Sequence, residues 1–167
     1  LMVTGRTSCR KPNIQQQPRM GGIRECILPW EGMVFLGADY SYIELCTLAQ
    51  WLYWEWGGER EMCRMINSGQ DPHYATAAML LGKSEKNVTR KERQTAKALN
   101  FGIPGGLSAT SLKGYAKTGY DVDLTDIEAE DLRGDWLTLY PDVDDYLNGY
   151  WTDVVMPSGR KRGECAY

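Results

Sequence analysis

Apolar and polar positions alternate most informatively between Thr89 and Gly106. Thr89-Arg90-Lys91-Glu92 is a capping box, in which Thr89 and Glu92 satisfy each other's backbone donors. It predicts a helix from about Arg90 that stops by Pro104-Gly105-Gly106. Thr125-Asp126-Ile127-Glu128 is a second capping box and predicts a helix to about Tyr140, with Pro141 opening the next through Tyr150. Asp71-Pro72 places a capping side chain before a first-turn proline, so a helix should run from there through Leu81 and stop at Gly82. Dense apolar residues from Ile43 to Trp54 predict another. Met33–Ala38 is a short apolar run bounded by Gly32 and Asp39, and its length and Val/Phe content predict a buried strand under that helix. Asp153–Met156 is strand-like and precedes a turn at Pro157-Ser158-Gly159, while residues 1–24 are polar and rich in turn formers.

This pattern predicts a mixed α/β chain that is predominantly helical. A small α/β unit should occupy residues 1–54, a helical insert 55–150, and a return segment 151–167. The chain has 167 residues, of which 43% are hydrophobic, enough for one domain or slightly more. Six tryptophans, three of them in Trp51–Trp56, are expected mostly in the core, with some facing solvent as an exposed apolar patch where partner segments are absent.

Composition narrows the function classes. No apolar run reaches the roughly 18 residues of a membrane span, and the first residues lack the apolar stretch of a signal peptide. The five cysteines are odd in number, and none forms a C-x-x-C pair. This argues against a disulfide framework or a zinc site and fits a cytoplasmic protein with reduced thiols. The net charge of −3 hides segregation: residues 1–24 hold five bases and no acid, residues 83–97 six bases against two acids, and residues 121–145 ten acids and one base. Local basic zones on an acidic protein can meet phosphates, and they can equally be solvated faces.

Arg93, Lys97 and Phe101 recur every fourth residue on the predicted helix. Each step of four turns the position by only about 40°, so the three share a face. Two neighbouring cations repel unless an anion lies across them, and a triphosphate suits a planar Arg fork beside a Lys point charge. A solvated basic face with Phe101 tucked inward has the same spacing. Asp39 leaves the predicted strand at a turn, where a carboxylate suits a divalent metal that also touches phosphate, or a helix cap.

Together these segments resemble the family A DNA polymerases. ADYSYIEL (residues 38–45) is similar to their motif A, DYSQIELR, and RQTAKALNFG (93–102) to their motif B, R-x-x-x-K-x-x-x-F-G. TGRTSCRKPNIQQQP resembles the TGRLSSxxPNLQNIP segment, DPHYATAAMLLG resembles DIHxxTAxxxFG, and LYPDVDDYL resembles YPGVxxYM. The five occur in family order over nearly the whole chain.

The resemblance implies a partial polymerase palm carrying an inserted fingers subdomain, phage-borne or bacterial, that acts on primer-template DNA and dNTPs. It implies that Asp39, helped by the Tyr40 carbonyl, binds two magnesium ions. It implies that Glu44 excludes a ribose 2′-hydroxyl, that Arg93 and Lys97 hold the nucleotide's phosphates, and that Phe101 lies against its sugar and base. Arg6, Asn13 and Gln15 would touch the DNA. The sequence departs from the family pattern at Gly105, where Tyr is usual, at Tyr42 for Gln, Cys46 for Arg, and Gln16 for Asn. No His-Asp-Glu motif C accompanies motif A: the single histidine, His73, belongs to the DPH segment, and Asp144-Asp145 reads as a solvated helix face. These 167 residues are therefore expected to be inactive alone, with the missing polymerase portion on the same or another chain. The alternative is a non-catalytic nucleotide- or DNA-binding piece of a split or degenerate polymerase.

Overall fold

A computed structural model describes residues 7–17, 21–148, 154–155 and 161–162. Its contacts divide the chain into two units, Leu1–Tyr40 and Ser41–Tyr167. The helix at Ile43, which the sequence groups with the first part, thus belongs to the second unit.

The first unit is built from turns. Short 3-10 turns occupy Ile14–Gln16 and Arg24–Cys26. Asn13 caps the first by accepting from the Gln15 backbone N–H at 3.2 Å, and the Gln15 side-chain amide donates back to the Thr7 hydroxyl at 3.1 Å. The predicted strand at Met33–Ala38 is not formed: those residues are irregular and exposed, with Leu36 96% accessible. A strand exists only by pairing, and among the described residues nothing pairs with this run. The only strands described are β1 (Val154–Val155) and β2 (Lys161–Arg162), an antiparallel pair joining Val154 to Arg162 and Val155 to Lys161. The expected predominance of helix is borne out, and among the described residues these two short strands do not by themselves establish an α/β class.

The second unit contains seven described helices: α1 (Ile43–Trp56), α2 (Glu61–Asn67), α3 (Pro72–Leu81), α4 (Arg90–Gly102), α5 (Ala109–Tyr120), α6 (Asp126–Leu139) and α7 (Pro141–Asn148). Both capping boxes form, Thr89 with Glu92 and Thr125 with Glu128. Gly82 ends α3 in the left-handed conformation, at φ 60°. Two helices were not expected. α2 lies within the stretch read only as helical insert, and α5 starts where Ser108 accepts from the Ser111 backbone N–H.

The core joins α1 (Leu48, Ala49, Leu52) to α2 (Met62, Cys63, Met65), α4 (Leu99), α5 (Leu112), α6 (Trp136) and α7 (Val143). Small residues let α3 and α4 approach closely: Ala77 and Ala78 meet Ala96, with Val88 closing the cluster. The expectation that most tryptophans are core is corrected. Trp136 is fully buried, but Trp30 and Trp54 are 83% and 70% exposed and Trp56 is also exposed.

Candidate nucleotide-binding helix face

The face begins with a buried amide. Asn100 is 1% exposed on α4. The Trp136 indole N–H can only donate, and it donates to Asn100 Oδ1 at 2.8 Å. That fixes the amide's orientation, so Asn100 Nδ2 donates, serving the Pro72 carbonyl (3.3 Å), His73 Nδ1 (3.1 Å) and Thr76 Oγ1 (3.2 Å). His73 Nδ1 therefore accepts, and the imidazole is neutral with its proton on Nε2. Burial pushes the His73 pKa down to about 4; Arg93 and Lys97 add to the fall, while Asp71 opposes it. Nε2 has no hydrogen-bond partner, and the rings of Tyr42 and Phe101 flank the imidazole at 5.4 and 5.3 Å. One side chain thus locks α3, α4 and α6 together directly beneath the predicted stripe.

The stripe itself forms as expected, with Arg93, Lys97 and Phe101 all on α4 and all partly exposed. Arg93 is held by an unexpected partner. Its Nε and Nη2 donate to Asp71 Oδ2 at 3.1 and 2.6 Å, and its guanidinium lies over the Tyr74 ring at 5.2 Å. Two of its five N–H donors go to Asp71, and the Tyr42 phenol also interacts with the guanidinium. Asp71 Oδ1 at the same time caps α3, accepting from the His73 backbone N–H at 2.8 Å. Burial pulls the Asp71 carboxyl upward, but the bonds from Arg93 and His73 outweigh it and hold the pKa below the usual carboxylate value. Tyr42 lies against this pair; burial and the Asp71 carboxylate raise its phenol. Lys97 has no carboxylate partner among the described residues, and its ammonium faces the Tyr120 ring at 5.8 Å.

Glu44 is exposed on the first turn of α1, in the second unit, and its charge acts on Tyr120, the ring that faces Lys97. Asp39 and Tyr40 close the first unit, both exposed, and Asp39 leaves an irregular segment rather than a strand. Asn13 and Gln15 lie at the first unit's capped turn. Arg6 lies outside the described residues. No group of three or more His, Cys, Asp or Glu suited to a metal ion occurs among the described residues. Asp144-Asp145 is partly the solvated face expected: Asp145 is exposed, while Asp144 is half-buried and accepts from the Asn148 amide at 2.9 Å. The sequence reading missed Asn100 and Tyr120, and took Asp71 only as a cap; the Asp71–Arg93 pair spans 22 positions and leaves no local signature.

A family model, described as DNA polymerase family A, matches residues 1–156. The chain belongs to DNA polymerase family A. Among relatives, DNA polymerase I of Aquifex aeolicus is 36% identical over 97% of this chain and 26% of its own length. The thermostable DNA polymerase I of Thermus thermophilus is 32% identical over 96% of this chain and 18% of its own. DNA polymerase I of Streptococcus pneumoniae is 30% identical over 98% and 17%. This family A chain thus spans about a quarter or less of the length of these curated relatives. Among its described residues, no helix is long and apolar enough to cross a membrane.

Proposed function

We propose that this family A polymerase chain carries the triphosphate-binding face and one metal-binding carboxylate of a DNA-directed DNA polymerase. The reaction is attack of a primer 3′-oxygen on the α-phosphate of a template-matched dNTP, with loss of pyrophosphate. One observation carries the reading: Arg93 and Lys97 sit one turn apart on a rigidly seated helix, and neither has all its donors used by the protein. Phosphoryl transfer depends mainly on positioning and charge neutralisation, and a fork and a point charge on one face provide both.

The residue roles are those the family resemblance implies, and the shared face of α4 supports those of Arg93, Lys97 and Phe101. Arg93 would offer its remaining donors to phosphate oxygens while Asp71 holds one edge of its guanidinium, and Lys97 would neutralise the adjacent phosphate. Phe101, set by the His73 ring, would stack beside the sugar and base, and Glu44 would crowd a 2′-hydroxyl. Asn13 and Gln15, with Arg6, would contact the primer-template. Asp39 and the Tyr40 carbonyl offer hard oxygen donors that suit magnesium. One carboxylate does not complete a two-ion site, so these residues would hold the ions only in part. Bound magnesium would neutralise charge on the reacting phosphates. The 167 residues alone would not extend a primer.

Calorimetric titration with metal-free dATP tests the reading. Charged hydrogen bonds contribute about 1.5–3 kcal/mol each, so Lys97→Ala and Arg93→Ala should each weaken binding by roughly 10- to 100-fold. Unchanged affinity in both variants would remove the phosphate assignment. Primer extension by the isolated chain would remove the claim of inactivity.

A further inference from the structure

We propose that Tyr120 is a positioning residue for the phosphate-binding face, bracing the Lys97 ammonium from outside the family-like segments. The inference rests on the reading that Lys97 takes a phosphate. Tyr120 ends α5, far from the Arg93–Gly102 segment in sequence, and lies in none of the five segments that resemble the family.

Three contacts fix its ring. Tyr120 packs on the cluster of Ala98, Ala116 and Val122, and Ala98 is the residue next to Lys97 on α4. The Tyr115 ring meets it edge-on, with centroids 5.4 Å apart and planes at 68°. The two phenol oxygens lie 3.1 Å apart and share a hydrogen bond. Lys97 Nζ then sits 5.8 Å from the centroid of this anchored ring.

The chemistry suits a phosphate-binding lysine. A carboxylate partner would neutralise the ammonium and compete with the ligand. Arg60, Arg64, Lys83, Lys113 and Lys117 each have such a carboxylate, and on the same face Arg93 shares its charge with Asp71, so Lys97 is the cation of the stripe held by a ring instead. An aromatic face attracts the ammonium through its quadrupole, confines a flexible four-carbon stem and leaves the full charge available. Burial and the bond to Tyr115 raise the Tyr120 phenol well above its ordinary value, so it stays neutral and forms no ion pair with Lys97.

The test uses the 167-residue chain, with inorganic tripolyphosphate as the calorimetric probe and carbon-13 dimethylated lysines observed by NMR, Lys97 being assigned through Lys97→Arg. In the unsubstituted chain the Lys97 methyl signal should lie upfield of the other lysines, because of the Tyr120 ring current. Tyr120→Phe, which keeps the ring, should hold that shift and bind tripolyphosphate within about 2-fold. Tyr120→Leu should lose the shift and bind roughly 2- to 5-fold more weakly. A Lys97 signal with no upfield shift in the unsubstituted chain overturns the proposal, even if Tyr120→Leu fails to fold. Weaker binding in Lys97→Ala together with unchanged binding in Tyr120→Leu overturns the bracing role alone. Unchanged binding in Lys97→Ala overturns the phosphate reading and the brace with it.

Discussion

Replacing Asn100 by alanine tests whether one amide holds α3, α4 and α6 together. The substitution leaves two fully buried groups without partners: the Trp136 indole N–H and His73 Nδ1, both on residues with 0% exposure. The Pro72 carbonyl can still accept within α3, so it is not counted. An orphaned buried polar group costs about 1–3 kcal/mol, which gives about 4 kcal/mol for the pair, before any contribution from the vacated volume. With a urea slope of about 2 kcal/mol/M, the unfolding midpoint should fall by about 2 M. Circular dichroism of the helices during a urea titration measures it. Trp136→Phe removes the donor together with the indole's second ring; the double variant closes a cycle in which that volume loss cancels, and the Asn100–Trp136 coupling should exceed about 1 kcal/mol. A loss below about 1 kcal/mol for Asn100→Ala, or a coupling near zero, would refute the claim that this amide joins α3, α4 and α6.

Two further outcomes follow from local geometry. A β-carbon on Gly102 would stand 2.8 Å from Leu112 Cδ1, 3.2 Å from Leu107 Cδ1 and 3.3 Å from a Tyr115 ring carbon, whereas one on Gly114 meets nothing within 4 Å. The same change should therefore have opposite signs in thermal unfolding: Gly102→Ala destabilising by about 1–3 kcal/mol, Gly114→Ala stabilising by about 0.4–1 kcal/mol; equal effects would refute the close α4–α5 packing. His73 is held neutral, with its pKa depressed from 6.5 to about 4. The unfolded chain takes up that proton first, so stability is full above pH 6.5 and falls by up to about 3 kcal/mol as the pH drops to 4. His73→Gln should flatten stability over that window, and an unchanged slope would show that the buried imidazole is not its source.

Much of the helical architecture was legible because its signals are local. A capping box needs four residues, and both Thr89–Glu92 and Thr125–Glu128 form where the sequence places them. The stripe of Arg93, Lys97 and Phe101 required only helical geometry. The strand at Met33–Ala38 failed because a strand is a relation between two segments, and apolar content alone does not supply the second. α5 was missed because Gly114 and Gly119 dilute its helical pattern, leaving Ser108 as the main cue. The partners that seat the site (Asp71 for Arg93, Trp136 for Asn100, Tyr120 for Lys97) lie 22, 36 and 23 positions away. Such pairings are decided by how helices pack, and no local window contains them.

Asp71 has one carboxylate and two duties, and its oxygens share a rigid plane. A ligand that draws the Arg93 guanidinium outward lengthens the contact at Oδ2. A tilt of that plane would reach Oδ1, where the His73 amide is anchored. The first turn of α3 would then register a pull on the face of α4. Hydrogen exchange at the His73 backbone amide reads the pull on Arg93 from the opposite end of a single side chain, with no label near the ligand.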